Sequence, residues 1–350
     1  MTRNEASRPF IVPVFIPHAG CPHQCAFCNQ HVITGDSTQT TLKKDFAAHI
    51  RDFLQFKKSF HKPVQISFYG GNFLGLKRAV RDQLLETAMP FIRTGQADGF
   101  RFSTRPDTVT VHRIESLRRF PVQTIELGVQ SMDDRVLQLS QRGHTAQHTL
   151  QACEILHASE YEIGLQMMVG LPGDSEVSAL KTAEHMARLL PDFVRIYPAL
   201  VLKNSRLADW YRQGRYSPLS LETAVTLVKK LYLFFQKKQI AVIRMGLQAS
   251  ESLIDQESIL AGPYHPAFGH LVHSEIFLDR AVAALQRQSG PKLRVVFTVH
   301  PRSIPKARGL RNANLKRLKA LFDIASMEWI LDELMAPNDL RTEIAPLQPE

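Results

Sequence analysis

The stretch FIVPVFIPHAGCPHQCAFC, residues 10–28, joins a short apolar run to three closely spaced cysteines. The β-branched and aromatic residues between Phe10 and Ile16 predict a buried strand. Cys21, Cys25 and Cys28 follow with C-x3-C-x2-C spacing, on the loop that leaves this strand. The run is broken by prolines and too short for a signal sequence or a membrane span. It therefore indicates the first strand of a cytoplasmic protein, followed by a thiol-rich loop.

The composition is that of an ordinary globular protein. The 350 residues are 44% hydrophobic and 22% charged, and no biased or repetitive stretch indicates disorder or a solenoid. The length favours one large α/β domain with an appendage, or two domains. Because three of the four cysteines lie between positions 21 and 28, a disulfide framework is excluded and a metal site in a reducing compartment is indicated.

Short β-branched runs alternate with amphipathic segments of helical length, which is typical of βα units around a parallel sheet. The expected strands are residues 10–16, 64–68, 99–103, 122–128, 162–168, 193–197 and 240–245. The expected helices are residues 40–58, 76–94, 108–119, 145–158, 175–190 and 220–238. Six repeats favour a (β/α)6 partial barrel, with a doubly wound open sheet as the competing fold.

The notable polar motifs all follow predicted strands. The cysteines follow the first strand, Tyr69-Gly70-Gly71 the second, Arg105 the third and Gln130 the fourth. Because the carboxyl ends of parallel strands share one edge of a sheet, we expect these residues to converge there.

The βα rhythm lapses after about residue 246. We therefore expect a core over 1–246, a small C-terminal α/β extension over 247–335 and a flexible tail over 336–350. Within the extension the pattern predicts a helix at 267–288, a strand at 293–299 and a basic helix at 310–321.

The net charge of +10 is concentrated in this extension. Residues 280–322 contain eleven Lys and Arg residues and no Asp or Glu. Such a segment is either a contact surface for nucleic acid or a solvated basic face.

Three cysteines in eight residues imply an incomplete coordination shell. A [4Fe–4S] cluster held by three thiolates keeps one iron open for another ligand. The alternative is zinc, with His18, His23 or His31 as the fourth ligand. The remaining cysteine, Cys153, falls in a predicted helix and is expected to be a small buried hydrophobe.

With Phe27 as the aromatic residue before the last cysteine, C-x3-C-x-φ-C resembles the fingerprint of the radical S-adenosylmethionine (SAM) superfamily. The resemblance implies a (β/α)6 partial barrel and a [4Fe–4S] cluster that Cys21, Cys25 and Cys28 hold. It also implies that SAM binds the open iron, and that one-electron reduction releases a 5′-deoxyadenosyl radical.

The same resemblance suggests SAM-binding residues. Gly70-Gly71 stands where the superfamily holds the SAM amino group, but Asn72 departs from the usual Glu, so no side-chain role is carried over to it. Ser103 and Arg105 resemble the stretch that contacts the ribose and carboxylate.

Polar residues within strands otherwise apolar add further candidates. At the fourth predicted strand these are Gln130, just after its end, and, less strongly, Glu126 within it. Arg195 and Gln166 lie within later strands as either SAM ligands or members of internal polar pairs.

More narrowly, the chain resembles the family of the Elongator catalytic subunit, which modifies wobble uridine in transfer RNA. The stretches concerned are residues 15–18, 128–131, 142–144, 170–173 and 261–268, within a resemblance that runs from about 10 to about 300. Over these 350 residues we expect no room for the acetyltransferase domain of that family, so its carboxymethylation chemistry is not carried over with the fold. A broader resemblance to oxygen-independent coproporphyrinogen oxidase leaves a tetrapyrrole substrate open.

These observations predict a radical SAM enzyme that acts on transfer RNA through the basic segment 280–322. Tyr264 and His265 either line the substrate entrance or form a packed turn. A one-electron donor such as flavodoxin or ferredoxin is expected, and no membrane partner. The alternatives are a radical SAM enzyme for a small molecule or peptide, and a non-catalytic RNA-binding zinc protein.

Overall fold

The computed structural model describes residues 9–16, 18–29, 46–58, 62–247, 258–287 and 293–346. The chain forms two compact units. The first comprises residues 1–220 and 234–264, and the second comprises residues 221–233 and 265–350.

The first unit is built on a seven-stranded parallel sheet in which the strands lie in chain order. The strands are β1 (Phe10–Phe15), β2 (Val64–Tyr69), β3 (Gly99–Thr104), β4 (Val122–Gln130), β5 (Glu162–Val169), β6 (Phe193–Pro198) and, after a short strand β7 (Val201–Leu202), β8 (Ala241–Met245). A doubly wound sheet would reverse its strand order partway. The competing fold is therefore wrong, and the partial TIM barrel is confirmed.

Helices connect successive strands of this sheet. They are α1 (Phe46–Leu54), α2 (Arg78–Arg93), α3 (Val111–Glu115), α4 (Asp134–Leu139), α5 (Ala146–His157), α6 (Glu176–Arg188), α7 (Arg206–Arg212) and α8 (Leu221–Lys237). The short helices α4 and α7 were not predicted. Strand β7 pairs antiparallel with β9 (Ile259–Ala261).

The two faces of the barrel sheet differ in polarity. On β2, Ile66 and Phe68 are fully buried, and Phe68 stacks on Phe73 with ring centroids 4.9 Å apart. The alternate residues Gln65, Ser67 and Tyr69 lie on the opposite face. Apolar residues thus face the helices, and polar residues are left to line the inner face.

The second unit is a small α/β fold. It contains α9 (Phe268–Leu285), β10 (Leu293–Val299), α10 (Ile304–Arg308), α11 (Ala313–Leu321), β11 (Ile324–Leu331) and β12 (Leu340–Pro346). Strand β10 lies between a parallel β11 and an antiparallel β12. The core of the unit includes Leu278, Leu285 and Phe297.

Two expectations for this part of the chain differ from the structure. Residues 340–346 of the expected flexible tail form β12 on seven paired residues of β10; residues 347–350 lie outside the described part. The compact units divide between Tyr264 and His265 rather than near 247, and the first part of α8 belongs to the second unit. The functional division near 247 stays a prediction.

Within the described ranges, no helix is long and apolar enough to cross a membrane.

Candidate active site

The loop that carries the cysteines is fastened to the end of β2 before the first cysteine is reached. The Ile16 amide donates to the Tyr69 carbonyl at 2.7 Å, and the His18 amide donates to the Gly70 carbonyl at 3.0 Å. The Asn72 amide donates back to the Ala19 carbonyl at 2.8 Å. The strand ends β1 and β2 therefore set the path of the loop.

Gly70 and Gly71 are required by this close approach. Gly70 has a φ of +88°, in the left-handed region that glycine favours. A Cβ on Gly71 would lie 2.5 Å from the Ile16 carbonyl oxygen and 2.6 Å from that of Ala19. The structure thus gives the glycine pair a role in shaping the cysteine loop, while its predicted contact with SAM stays a prediction.

The loop is also supported from its other side. The Ala26 amide donates to the Ser140 carbonyl at 3.0 Å, and the Leu207 amide donates to the Ala26 carbonyl at 2.8 Å. Phe27 packs against two apolar clusters, one containing Val136 and the other Leu207. Phe27 is therefore an anchor of the loop, whatever further contact it makes with a cofactor.

Of the three loop cysteines, Cys25 is buried and the other two are partly exposed. Burial raises the pKa of Cys21, while Arg142 and Arg105 act to lower it. Such cationic neighbours suit thiolates that bind a metal.

Sequence reasoning missed the part that Arg142 plays here. Arg142 is 7% exposed, and its guanidinium donates from Nη1 to Cys25 Sγ at 3.3 Å and from Nη2 to the Gly128 carbonyl at 2.7 Å. A Cβ on Gly128 would lie 2.9 Å from Nη2, so glycine makes room for the guanidinium. The only sequence signal for Arg142 was its place in a stretch of family resemblance.

The donors on the loop are three thiols, the ligands that hold iron–sulfur clusters. In the described part of the chain, no three His, Cys, Asp or Glu side chains are grouped to hold one metal ion. The ligands of a zinc ion must converge on one point, whereas the cysteines of a cluster each bind a different iron. Of the histidines considered for zinc, His31 lies outside the described residues.

Arg105 is buried beside the end of β3, with 2% of its surface exposed. Its Nε and Nη2 donate to both carboxylate oxygens of Asp107, at 2.9 and 3.1 Å. Its Nη1 is buried and has no hydrogen-bond partner among the described residues. Ser103 lies two residues earlier on β3 and therefore on the same face as Arg105.

Glu126 is the centre of a buried ionic network on the inner face. Its carboxylate lies 2.5 Å from Arg101 Nε and 3.0 Å from Arg195 Nε, and it accepts a hydrogen bond from the Tyr69 hydroxyl at 3.1 Å. Burial acts to lower the pKa of Arg195, but Glu126, Tyr197 and Tyr69 together raise it above its ordinary value. For Arg195 the structure thus shows an internal ion pair.

Gln130 ends β4 in a strained conformation. Its φ is +68°, and the register with β5 shifts between Gly128 and Gln130. The Gln166 side-chain amide donates to Gln130 Oε1 at 3.3 Å. A strained, buried polar residue at a strand end is typical of a ligand-binding edge.

Three other residues considered in the sequence make only contacts that are ordinary in a folded core or turn. Cys153 is buried on α5, where burial raises its pKa to about 12, as expected of an unreactive thiol. Tyr264 packs against the cluster of Leu200 and Leu202. His265 accepts a hydrogen bond from the Ala267 amide at 3.0 Å.

A chain-ordered parallel barrel with three cysteines on the loop after its first strand defines a class, that of barrel enzymes with an iron–sulfur cluster. Residues 15–186 match the family model described as the radical SAM superfamily, and residues 191–277 match that of the radical SAM C-terminal domain. Together the two stretches cover more than half of the chain. The chain therefore belongs to the radical SAM superfamily, whose enzymes use a [4Fe–4S] cluster and SAM.

Several curated relatives are named as enzymes that act on transfer RNA. The chain is 23% identical over 256 residues to the tRNA uridine(34) acetyltransferase of Methanocaldococcus infernus, covering 62% of this chain and 48% of the relative. The protein of the same name from Dehalococcoides mccartyi is 27% identical, with 59% and 52% covered. The chain thus spans about half the length of these relatives.

A solved structure shares the fold. It is that of the archaeal Elongator protein 3 of Methanocaldococcus infernus with an N-terminal deletion, at a TM-score of 0.62 and 21% identity. The match covers 77% of this chain and 63% of that one.

Proposed function

We propose that this radical SAM enzyme reductively cleaves SAM at a [4Fe–4S] cluster held by Cys21, Cys25 and Cys28, and that its substrate is transfer RNA. The observation that carries the proposal is the cysteine loop. It is fastened to the ends of β1 and β2 and backed by residues 140–142, with the Arg142 guanidinium against Cys25 Sγ.

The cluster and SAM together supply a 5′-deoxyadenosyl radical, and the protein holds them in place. Support for a SAM contact is strongest at Arg105. Its buried Nη1 still has a proton to donate, and the SAM carboxylate is an acceptor that a guanidinium binds well. Gly70, Gly71, Ser103 and Gln130 belong to the same proposal, because they lie at the ends of neighbouring strands.

Two other residues have a weaker claim to contact SAM. Arg195 is 15% exposed and already paired with Glu126. Phe27 is partly buried in apolar clusters. We therefore propose both as SAM contacts with less support than Arg105.

Transfer RNA is supported by the names of the relatives and by the basic segment 280–322. Among the described residues, three of these basic side chains contact acidic ones: Arg280 contacts Asp339, Arg294 contacts Glu328 and Arg317 contacts Glu275. Others are exposed and have no ion pair within the described ranges; they include Arg302, Arg308, Arg311, Lys316 and Lys319. This exposed set is the proposed phosphate contact.

The proposal includes a cytoplasmic location and a flavodoxin or ferredoxin as electron donor. It covers the radical chemistry and not the acetyl transfer for which the relatives are named.

The test is anaerobic reconstitution with iron and sulfide, followed by dithionite and SAM, with 5′-deoxyadenosine measured with and without transfer RNA. We expect 5′-deoxyadenosine from the wild type, faster formation with transfer RNA, and none from Cys21→Ala, Cys25→Ala or Cys28→Ala. Formation at an unchanged rate with RNA would remove transfer RNA as the substrate and favour a small molecule or peptide. An intact cluster without any 5′-deoxyadenosine would overturn the cleavage itself.

A further inference from the structure

Asn72, the residue that departs from the family pattern, is fully buried between the end of β2 and the short turn at Phe73–Gly75. Its side-chain amide donates from Nδ2 to the Gly20 carbonyl at 2.9 Å. Gly20 immediately precedes Cys21. The amide end of Asn72 therefore holds the start of the cysteine loop.

The oxygen end of the same side chain holds the segment after β3. Asn72 Oδ1 accepts from the Arg105 amide at 3.1 Å and lies 2.7 Å from Thr104 Oγ1 and 2.8 Å from Thr108 Oγ1. Three donor groups around one carbonyl oxygen occupy its acceptor capacity. The backbone that carries Arg105 is thereby fixed to Asn72.

Two neighbouring glycines pack on Asn72, Gly75 against its side chain and Gly20 against its main chain. A Cβ on Gly75 would lie 2.3 Å from Asn72 Nδ2, and a Cβ on Gly20 would lie 2.3 Å from the Asn72 carbonyl oxygen. Gly20 also has a φ of +73°. Because Asn72 is fully buried and Gly75 packs directly on its Nδ2, its side-chain amide is closed off from a ligand.

We propose that Asn72 is a positioning residue, which sets the cysteine loop, Gly70-Gly71 and Arg105 in the arrangement that binds SAM. The inference rests on the proposed function, since it takes those three segments as the cluster and SAM site. An amide is needed because one end faces a carbonyl and the other faces donors. A carboxylate at position 72 would set an oxygen against the Gly20 carbonyl.

The test compares Asn72→Asp with Thr124→Val in the reconstituted enzyme. Thr124 is equally buried on β4 and links Gln65 to Glu162, at 2.9 and 2.6 Å. Among the described residues, it makes no hydrogen bond to any of the three segments in question. The control variant thus loses buried hydrogen bonds within the same barrel, but these bonds lie away from the cluster and SAM site.

The readouts are iron and sulfide content, the thermal midpoint, SAM affinity by equilibrium dialysis, and the change in the electron paramagnetic resonance spectrum of the reduced cluster when SAM is added. We expect Asn72→Asp to weaken SAM binding by about tenfold or more and to lose most of the spectral change. Thr124→Val lowers the thermal midpoint but keeps both SAM readouts.

If Asn72→Asp does not assemble a cluster, Thr108→Val decides, because it removes one donor from Asn72 Oδ1. A loss of SAM affinity clearly larger than that of Thr124→Val supports the inference. SAM affinity within about twofold of the wild type in the variant that assembles overturns it. Absence of SAM binding in the wild type would instead overturn the proposed function.

Discussion

Glu126 is a buried carboxylate shared by two arginines. Arg101 and Glu126 are each 3% exposed, and Arg195 is 15% exposed. Removing the carboxylate and the two guanidinium groups from water is costly. A buried ionic network of this kind therefore adds little net stability compared with an apolar replacement. Removing only the carboxylate is different, because it leaves two buried cations without their counter-ion.

We therefore expect Glu126→Gln to lower the free energy of unfolding of the first unit by about 3–5 kcal/mol. The protein has two tryptophans, Trp210 on α7 in the first unit and Trp329 on β11 in the second. In a Trp329→Phe background, Trp210 fluorescence during urea unfolding reports the first unit alone.

The matched control in that background is Asp209→Asn. Asp209 and Arg212 form an exposed pair, with 61% and 56% of their side chains accessible, for which a loss of less than about 1 kcal/mol is expected. Equal effects of the two substitutions would show that the Glu126 network is no more important than a surface pair.

At the candidate site, the strand periodicity predicted which polar residues share an edge: Gly70 and Arg105 do follow their strands, and Gln130 is the last residue of β4. It did not predict what fastens them. Asn72 and Gly20 are 52 residues apart, and Arg142 and Cys25 are 117 apart. Such bonds depend on how loops approach one another after folding, which no local pattern encodes.

Among the elements, those with one strongly apolar face were predictable. All seven expected strands of the barrel and the six expected helices between them are present. Strands β11 and β12 were missed because they are the two edges of a small sheet, and β11 has no fully buried residue. An edge strand with one solvent-facing side carries too weak an apolar pattern to be recognised.

Helix α9 carries a histidine that the fold keeps neutral. Burial, Lys306 and His270 lower the pKa of His273 to about 4, and its ring packs edge-on against Tyr232 at 5.0 Å. In the unfolded chain a histidine titrates at about 6.5. Between these values the unfolded state binds a proton that the folded state does not, so the second unit loses stability as pH falls from about 6.5 towards 4.

The corresponding prediction is that His273→Gln makes this loss shallower. The measurement is urea unfolding followed by Trp329 fluorescence in a Trp210→Phe background at pH 7.5, 6, 5 and 4.5, with ionic strength held constant. His270, whose pKa is lowered by burial and by Lys306, contributes in the same direction. Parallel pH profiles for the variant and its parent would show that His273 does not contribute.

On the scale of the whole molecule, charge is segregated along the chain: the eleven cations and no anions of residues 280–322 all belong to the second unit. Ion pairing divides these cations into two classes that sequence alone could not separate. Arg280, Arg294 and Arg317 contact acidic residues that lie outside the segment. Cations already neutralised have less to gain from a phosphate than cations that face only water.

Two triple variants with the same change in net charge test this division. The first replaces Arg308, Arg311 and Lys319 by Gln, and the second replaces Arg280, Arg294 and Arg317 by Gln. Transfer RNA affinity is measured at several salt concentrations, and thermal midpoints identify any variant that is merely unstable. We expect the first triple to weaken binding and to reduce the slope of log affinity against log salt by about two to three, since each lost phosphate contact removes about 0.7–0.9.

The second triple should change the slope by much less, because its cations keep acidic neighbours in the wild type. Equal reductions in the two triples would mean that only net charge attracts the RNA and that no particular face is used. An unchanged slope in both would place the contact outside this segment. The activity of the same variants is measured with dithionite as reductant. Because a chemical reductant needs no docking surface, any loss of activity then reflects RNA binding and not the docking of an acidic electron donor.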